Sequence, residues 1–125
     1  MQPIATTDAP PPAGHYSQAI VHNGLVYVAG QLPVDPQTGQ VVAGSPAVQT
    51  EQTLRNVEAI LRAAGSGLDQ VLSATVYVTS RDYWGEVNAT FARLFGEHRP
   101  ARAIVPVADL KAGCVIEIQV IAAAR

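Results

Sequence analysis

Charge is scarce in this chain. Of 125 residues only 14% are Asp, Glu, Lys or Arg, against 48% hydrophobic, and the formal net charge is −2. So apolar a composition excludes a disordered chain and favours a well-buried, oligomeric protein. The positive residues form no block and no stripe interleaved with aromatics, which argues against nucleic acid as the main partner. A single cysteine, Cys114, excludes an intrachain disulfide and, set in an apolar run, reads as a small core residue. His15, His22 and His98 lack the spacing of metal ligands, and no glycine motif is of the phosphate-cradling kind. The first residues have neither the basic nor the apolar region of a signal peptide. No apolar run reaches the roughly 18 residues that a membrane span needs. There is no internal repeat. The expectation is one soluble, cytoplasmic domain over residues 1–125, with no membrane partner.

What is present is punctuated clearly. Residues 1–13, with Pro10, Pro11 and Pro12 in a row, predict an extended lead-in. Two β-rich runs flank Asn23-Gly24, the strongest short hairpin signal. The second, Leu25 to Ala29, ends at Gly30, and Gln31 to Val34 continue it after a bulge or bend at that glycine. Asp35 to Gly39 read as a tight turn before the apolar pair Val41 and Val42. Leu54, Val57, Leu61 and Ala64 fall on one face of a helix opened by Pro46, with Glu51, Arg55, Glu58 and Arg62 on the other side. Gly65 stops it. Val71 to Thr79 is a strand. Asp82 is the expected N-cap of a second helix whose apolar face carries Trp84, Val87, Phe91, Leu94 and Phe95 as core residues. Two strands follow, Ala103 to Val107 and Cys114 to Ala122. The order predicts an α+β fold with both helices on one face of a mixed sheet, and another subunit covering the other face.

Two charges stand out in the last strands, Arg102 at the mouth of one and Glu117 inside the other. Such groups are rarely buried without a partner. They could pair with each other across neighbouring strands, or simply face solvent. They could equally form a site, in which the guanidinium grips a carboxylate and the acid moves a proton or orients a water. The pattern leaves these open.

Several segments, in order, resemble one family. Gly14-His15-Tyr16-Ser17-Gln18-Ala19-Ile20 is similar to the GPYSQAI opening of the reactive-intermediate deaminase (RidA/YjgF) family. Ala29-Gly30-Gln31-Leu32-Pro33 and Asp35-Pro36-Gln37-Thr38-Gly39 resemble its SGQIP…DPxTG segment. Asn56 to Leu61 with Ala63-Ala64-Gly65, and Asn88 to Phe91 with Phe95, resemble its two helices. Pro100-Ala101-Arg102, Glu117-Ile118 and Ile121-Ala122 resemble its closing signature. The resemblance implies a chorismate-mutase-like fold, a six-stranded sheet per subunit, and a homotrimer with three sites in the clefts between subunits. It implies hydrolysis of imine and enamine intermediates, such as 2-aminoacrylate and 2-iminobutanoate, to 2-oxo acids and ammonia, with no cofactor and no metal. Arg102 would clamp the substrate carboxylate and Glu117 would serve the water and the departing nitrogen. Tyr16 would wall the pocket, and the backbone at Ala29, Gly30, Gln31 and Ile104 would complete it. Asn88 is expected to brace backbone near the site.

The chain departs from that pattern in places. Ala29 stands where serine is common, Ile104 where cysteine is, and Lys111 where a proline is usual, and the segment before Pro100 is shorter. A drier pocket follows, and with it a larger or more apolar substrate side chain. The competing expectations are a noncatalytic trimer that binds small carboxylates and, disfavoured by the acidic balance, an RNA-cleaving enzyme.

Overall fold

The structure, a computed structural model, describes residues 1–125. In chain order it comprises β1 (Gln2–Ile4), β2 (Ala19–His22), β3 (Leu25–Gln31), α1 (Pro46–Ala63), β4 (Val71–Val78), α2 (Trp84–Phe95), β5 (Ala101–Pro106) and β6 (Ile116–Ala123). Asn23 and Gly24 have φ of 51° and 77°. Those paired positive values are what a two-residue turn needs to fold β3 back on β2. The six strands form one mixed sheet in the order β1-β2-β3-β6-β4-β5, in which only β4 and β5 run parallel. α2 is the crossover between those two, as a parallel pair requires.

Alternation along the strands decides which side is core. Val26, Val28, Val76, Val78, Ile116, Ile118 and Val120 are buried under Leu54, Val57, Ile60 and Leu61 of α1 and Val87 and Phe91 of α2. Both helices therefore cover one face, as the sequence predicts. The other face has nothing over it, and Tyr27, Val105 and Ile121 stand exposed there. Tyr27 and Ile121 are direct neighbours on paired strands, so part of this apolar surface is continuous.

Buried amides tie the irregular segments to α1. Asn56 Nδ2 donates to the carbonyls of Leu32 (3.0 Å) and Val34 (2.8 Å). Gln49 Nε2 donates to Val42 (3.0 Å) and Gly113 (2.7 Å), and its Oε1 accepts from Val115 N–H at 2.8 Å. No buried side-chain polar atom lacks a partner.

The structure corrects several sequence expectations. The lead-in begins as a paired edge strand, β1, and Gln18 pins the rest by accepting from Thr6 N–H (2.7 Å) and donating to the Pro10 carbonyl (2.8 Å). β3 ends at Gln31 after a one-residue bulge, and beyond it only a single bridge joins Val34 to Val41. Asp82 is not a cap. Ser80 Oγ accepts from Asp82 N–H, Arg81–Tyr83 form one 3₁₀ turn, and α2 starts at Trp84. Trp84 is not core either, being half exposed. β5 begins two residues earlier than expected, which puts Arg102 inside the strand. β6 begins two residues later, because Val115 N–H is taken by Gln49 and Cys114 N–H by the Lys111 carbonyl.

Candidate functional site

Arg102 is the second residue of β5 and pairs in register with Ala74, a buried residue on the helix-covered side. Its guanidinium meets α2. Nη2 donates to Asn88 Oδ1 at 2.9 Å, and Cζ lies 4.9 Å from the Phe91 ring centroid and 5.8 Å from that of Trp84. Trp84, Asn88 and Phe91 are spaced i, i+4, i+7, one stripe of the helix. Arg55, Arg62, Arg93 and Arg125 each have a carboxylate partner, and Arg102 has none. Partial burial pulls its pKa below the ordinary arginine value, though the group stays charged at neutral pH. A desolvated guanidinium with most of its five donors unused is complementary to an anion. Ile104, two residues on, pairs with buried Val76 and shares that side of the strand.

Glu117 lies between Ile116 and Ile118, both fully buried under the helices, so its side chain projects to the opposite face. No residue hydrogen-bonds it, and burial pushes its carboxyl above the usual range. It packs on the backbone of the β3 bulge. A Cβ built on Gly30 would lie 3.1 Å from Glu117 Cδ and closer still to the carboxylate oxygen. Gly30 has no positive φ, so the glycine serves close approach here. Gly30 and Gln31 also line a cavity of about 250 Å³ with Tyr16, Leu32, Lys111 and the proline strap. The Tyr16 hydroxyl accepts from Ala13 N–H at 3.1 Å, which closes the strap over the cavity. Gln31 Nε2 donates to the Ala29 carbonyl at 3.1 Å, and Ala29 N–H donates to the Gln18 carbonyl at 2.9 Å, fixing the bulge.

The residues singled out from sequence thus fall into two groups. Gly30 lies against Glu117 at the bulge and also lines the cavity that Tyr16 and Gln31 share, while Glu117 and Ala29 lie outside that cavity's lining. Arg102 and Ile104 stand on the helix-covered side of the sheet at its β5 edge. Arg102 and Glu117 form no ion pair, so the mutual-pairing alternative is excluded. Asn88 braces the guanidinium and not backbone, a correction the helical spacing to Trp84 and Phe91 could have signalled. Cys114 is buried, and burial raises its thiol pKa, with the Lys111 and Glu117 charges acting in opposite senses. No three His, Cys, Asp or Glu side chains gather as a metal would require.

The sequence matches the family model described as Endoribonuclease L-PSP over residues 6–124. It is 44% identical over 119 residues to a RutC family protein of Pyrococcus horikoshii, covering 95% of this chain and 94% of that one. Its fold matches the crystal structure of RidA from an Antarctic Psychrobacter with a TM-score of 0.94 at 39% identity, covering 98% of this chain and 99% of that one. It matches E. coli TdcF, solved with bound serine, with a TM-score of 0.94 at 33% identity over 100% of both chains.

Proposed function

The chain belongs to the Endoribonuclease L-PSP family, the RidA/YjgF group, and from that premise we propose that it hydrolyses small 2-imino acids and their enamine tautomers to 2-oxo acids and ammonia. One observation carries the reading. Arg102 is half-buried, braced by Asn88 and two aromatic faces, and left without a carboxylate of its own. In the proposed reaction the substrate carboxylate takes that place through two parallel hydrogen bonds. The clamp holds the C=N carbon in place for attack, and positioning of this kind lowers a barrier by several kcal/mol.

Glu117 supplies the proton chemistry. Its carboxylate takes a proton from water as the oxygen bonds to the imine carbon. That proton passes to the nitrogen as the C=N π pair moves onto it, giving a carbinolamine. The carboxylate then transfers the hydroxyl proton to the amine, and C=O forms as the C–N bond breaks and ammonia leaves. Burial raises the Glu117 pKa above the usual carboxylate range, in the direction that makes the carboxylate a better base for the water. Because the clamp and the acid lie on opposite sides of one sheet, the proposed site joins Arg102 of one subunit to Glu117, Tyr16 and Gly30 of the next. A homotrimer closed through the uncovered apolar face provides that junction.

Coupled turnover tests the reading. A dehydratase generates 2-aminoacrylate or 2-iminobutanoate, and semicarbazone formation reports imine that escapes hydrolysis. The protein should suppress the semicarbazone, and Arg102→Ala should abolish the suppression. Ala29 and Ile104, which lack the hydroxyl and thiol common at these positions, favour a second reading, a noncatalytic carboxylate-binding trimer. Binding of 2-oxobutanoate without hydrolysis would select it. RNA is the control substrate, and its cleavage would reject both.

A further inference from the structure

The wall beside Arg102 holds more positive charge than one carboxylate requires. A cavity of about 510 Å³ opens between the end of α2 and the start of β5, lined by Asn88, Phe91, His98, Arg99 and Arg102 among others. That volume lies within the range of small-molecule sites, about 300–1,000 Å³. No Asp or Glu lines it; Glu97, next to His98 in sequence, is not part of the wall. Arg99, like Arg102, forms no ion pair, although most arginines of the chain do. Two unpaired guanidiniums, Arg102 part-buried and Arg99 exposed at the rim, thus share one cavity that no carboxylate lines.

The two guanidiniums are held differently: Arg102 is braced by Asn88 and the Phe91 ring, whereas Arg99 is exposed at the rim of the cavity. Pro100 restrains Arg99 to extended backbone just before the strand. His98 donates Nε2–H to the Val71 carbonyl at 2.7 Å, tying the turn to β4. The Phe91 and Phe95 rings, stacked 5.1 Å apart, give the cavity an apolar side, which strengthens charge–charge attraction within it.

We propose that this cavity binds a second acidic group of the substrate, with Arg102 on the α-carboxylate and Arg99 on a carboxylate at the end of the side chain. Arg99 is then a specificity residue, and the substrate class narrows to imines of four- and five-carbon dicarboxylic amino acids. The inference rests on the imine-hydrolase reading and refines it. Ala29 and Ile104 dry the reacting end, which taken alone favours an apolar side chain. The cavity where the chain of the substrate would extend is basic, and it decides for an acidic one.

Calorimetry with the intact protein tests this using product-like 2-oxo acids: 2-oxoglutarate, 2-oxobutanoate and 2-oxo-4-methylpentanoate. The wild type should bind 2-oxoglutarate about tenfold more tightly than 2-oxobutanoate, a gap of about 1.4 kcal/mol. Arg99→Gln should remove that gap while leaving 2-oxobutanoate binding and the melting temperature unchanged, and Arg99→Lys should retain part of it. Equal binding of the two acids, tightest binding of 2-oxo-4-methylpentanoate, or equal weakening of both acids by Arg99→Gln would overturn the inference. Turnover of the matching imines separates the two claims. Hydrolysis without acidic preference overturns only the Arg99 subsite, whereas acidic preference in binding without hydrolysis overturns the enzyme and leaves the subsite standing.

Discussion

At the residue scale, the proposed mechanism gives three residues, Arg102, Gly30 and Glu117, separable duties. The Arg102 fork makes two parallel bonds where a lysine makes one, so Arg102→Lys should lower kcat/KM about 30-fold, the worth of one charge-assisted hydrogen bond. Steady-state rates on 2-iminobutanoate would show it, and near wild-type rates would contradict a clamp. Gly30→Ala pushes a methyl into the Glu117 carboxylate. It should cost about 100-fold in rate through misplacement of the acid while the protein stays folded. Glu117 links activity to stability. Burial raises its pKa in the folded chain, so the native state binds more protons than the unfolded one between the two pKa values. Stability therefore falls as pH rises through that window. Glu117→Gln should melt above the wild type at pH 7, with the difference vanishing below about pH 4, where both states of the wild type are protonated. Melting curves at the two pH values check this, and a lower-melting glutamine variant at pH 7 would contradict it.

At the element scale, α1 organises the loops as much as it fills the core. Gln49 satisfies Val42, Gly113 and Val115 at once. Gln49→Ala should cost about 3 kcal/mol in urea unfolding, since three backbone groups lose their partner. Much of this level was legible in the sequence. The Asn23-Gly24 hairpin, the Gly65 stop and the β3 bulge follow from local backbone rules that nothing distant overrides. The N-terminus of α2 was not legible, because Ser80 and Asp82 are both good capping residues and only the folded turn shows Ser80 taking the N–H. Trp84 was misread for a related reason. Helical spacing identifies its stripe but not the arginine that the stripe meets, since that contact joins α2 to a strand many residues away.

At the scale of the whole molecule, the placement of Arg102 and Glu117 on opposite sides of the sheet explains why the sequence pattern alone left the proposed site open. Alternation in β6 places Glu117 away from the helices, and the register of β5 on β4 places Arg102 toward them. From residue types alone, a cross-strand ion pair remained as good a reading, and only the sheet order removes it. The apolar face with Tyr27 and Ile121 should close the assembly. Ile121→Asp should therefore sediment as a smaller species and lose hydrolysis together with its partners. The most direct measurement is complementation between two inactive variants. Arg102→Ala and Glu117→Gln, each inactive alone, are co-expressed, purified as mixed assemblies and assayed for imine hydrolysis. If each site takes its clamp from one subunit and its acid from the next, random mixing rebuilds about a quarter of the sites in a symmetric ring, and activity returns to that fraction of wild type. Mixed assemblies that remain inactive, although both variants assemble, would contradict a site shared between subunits.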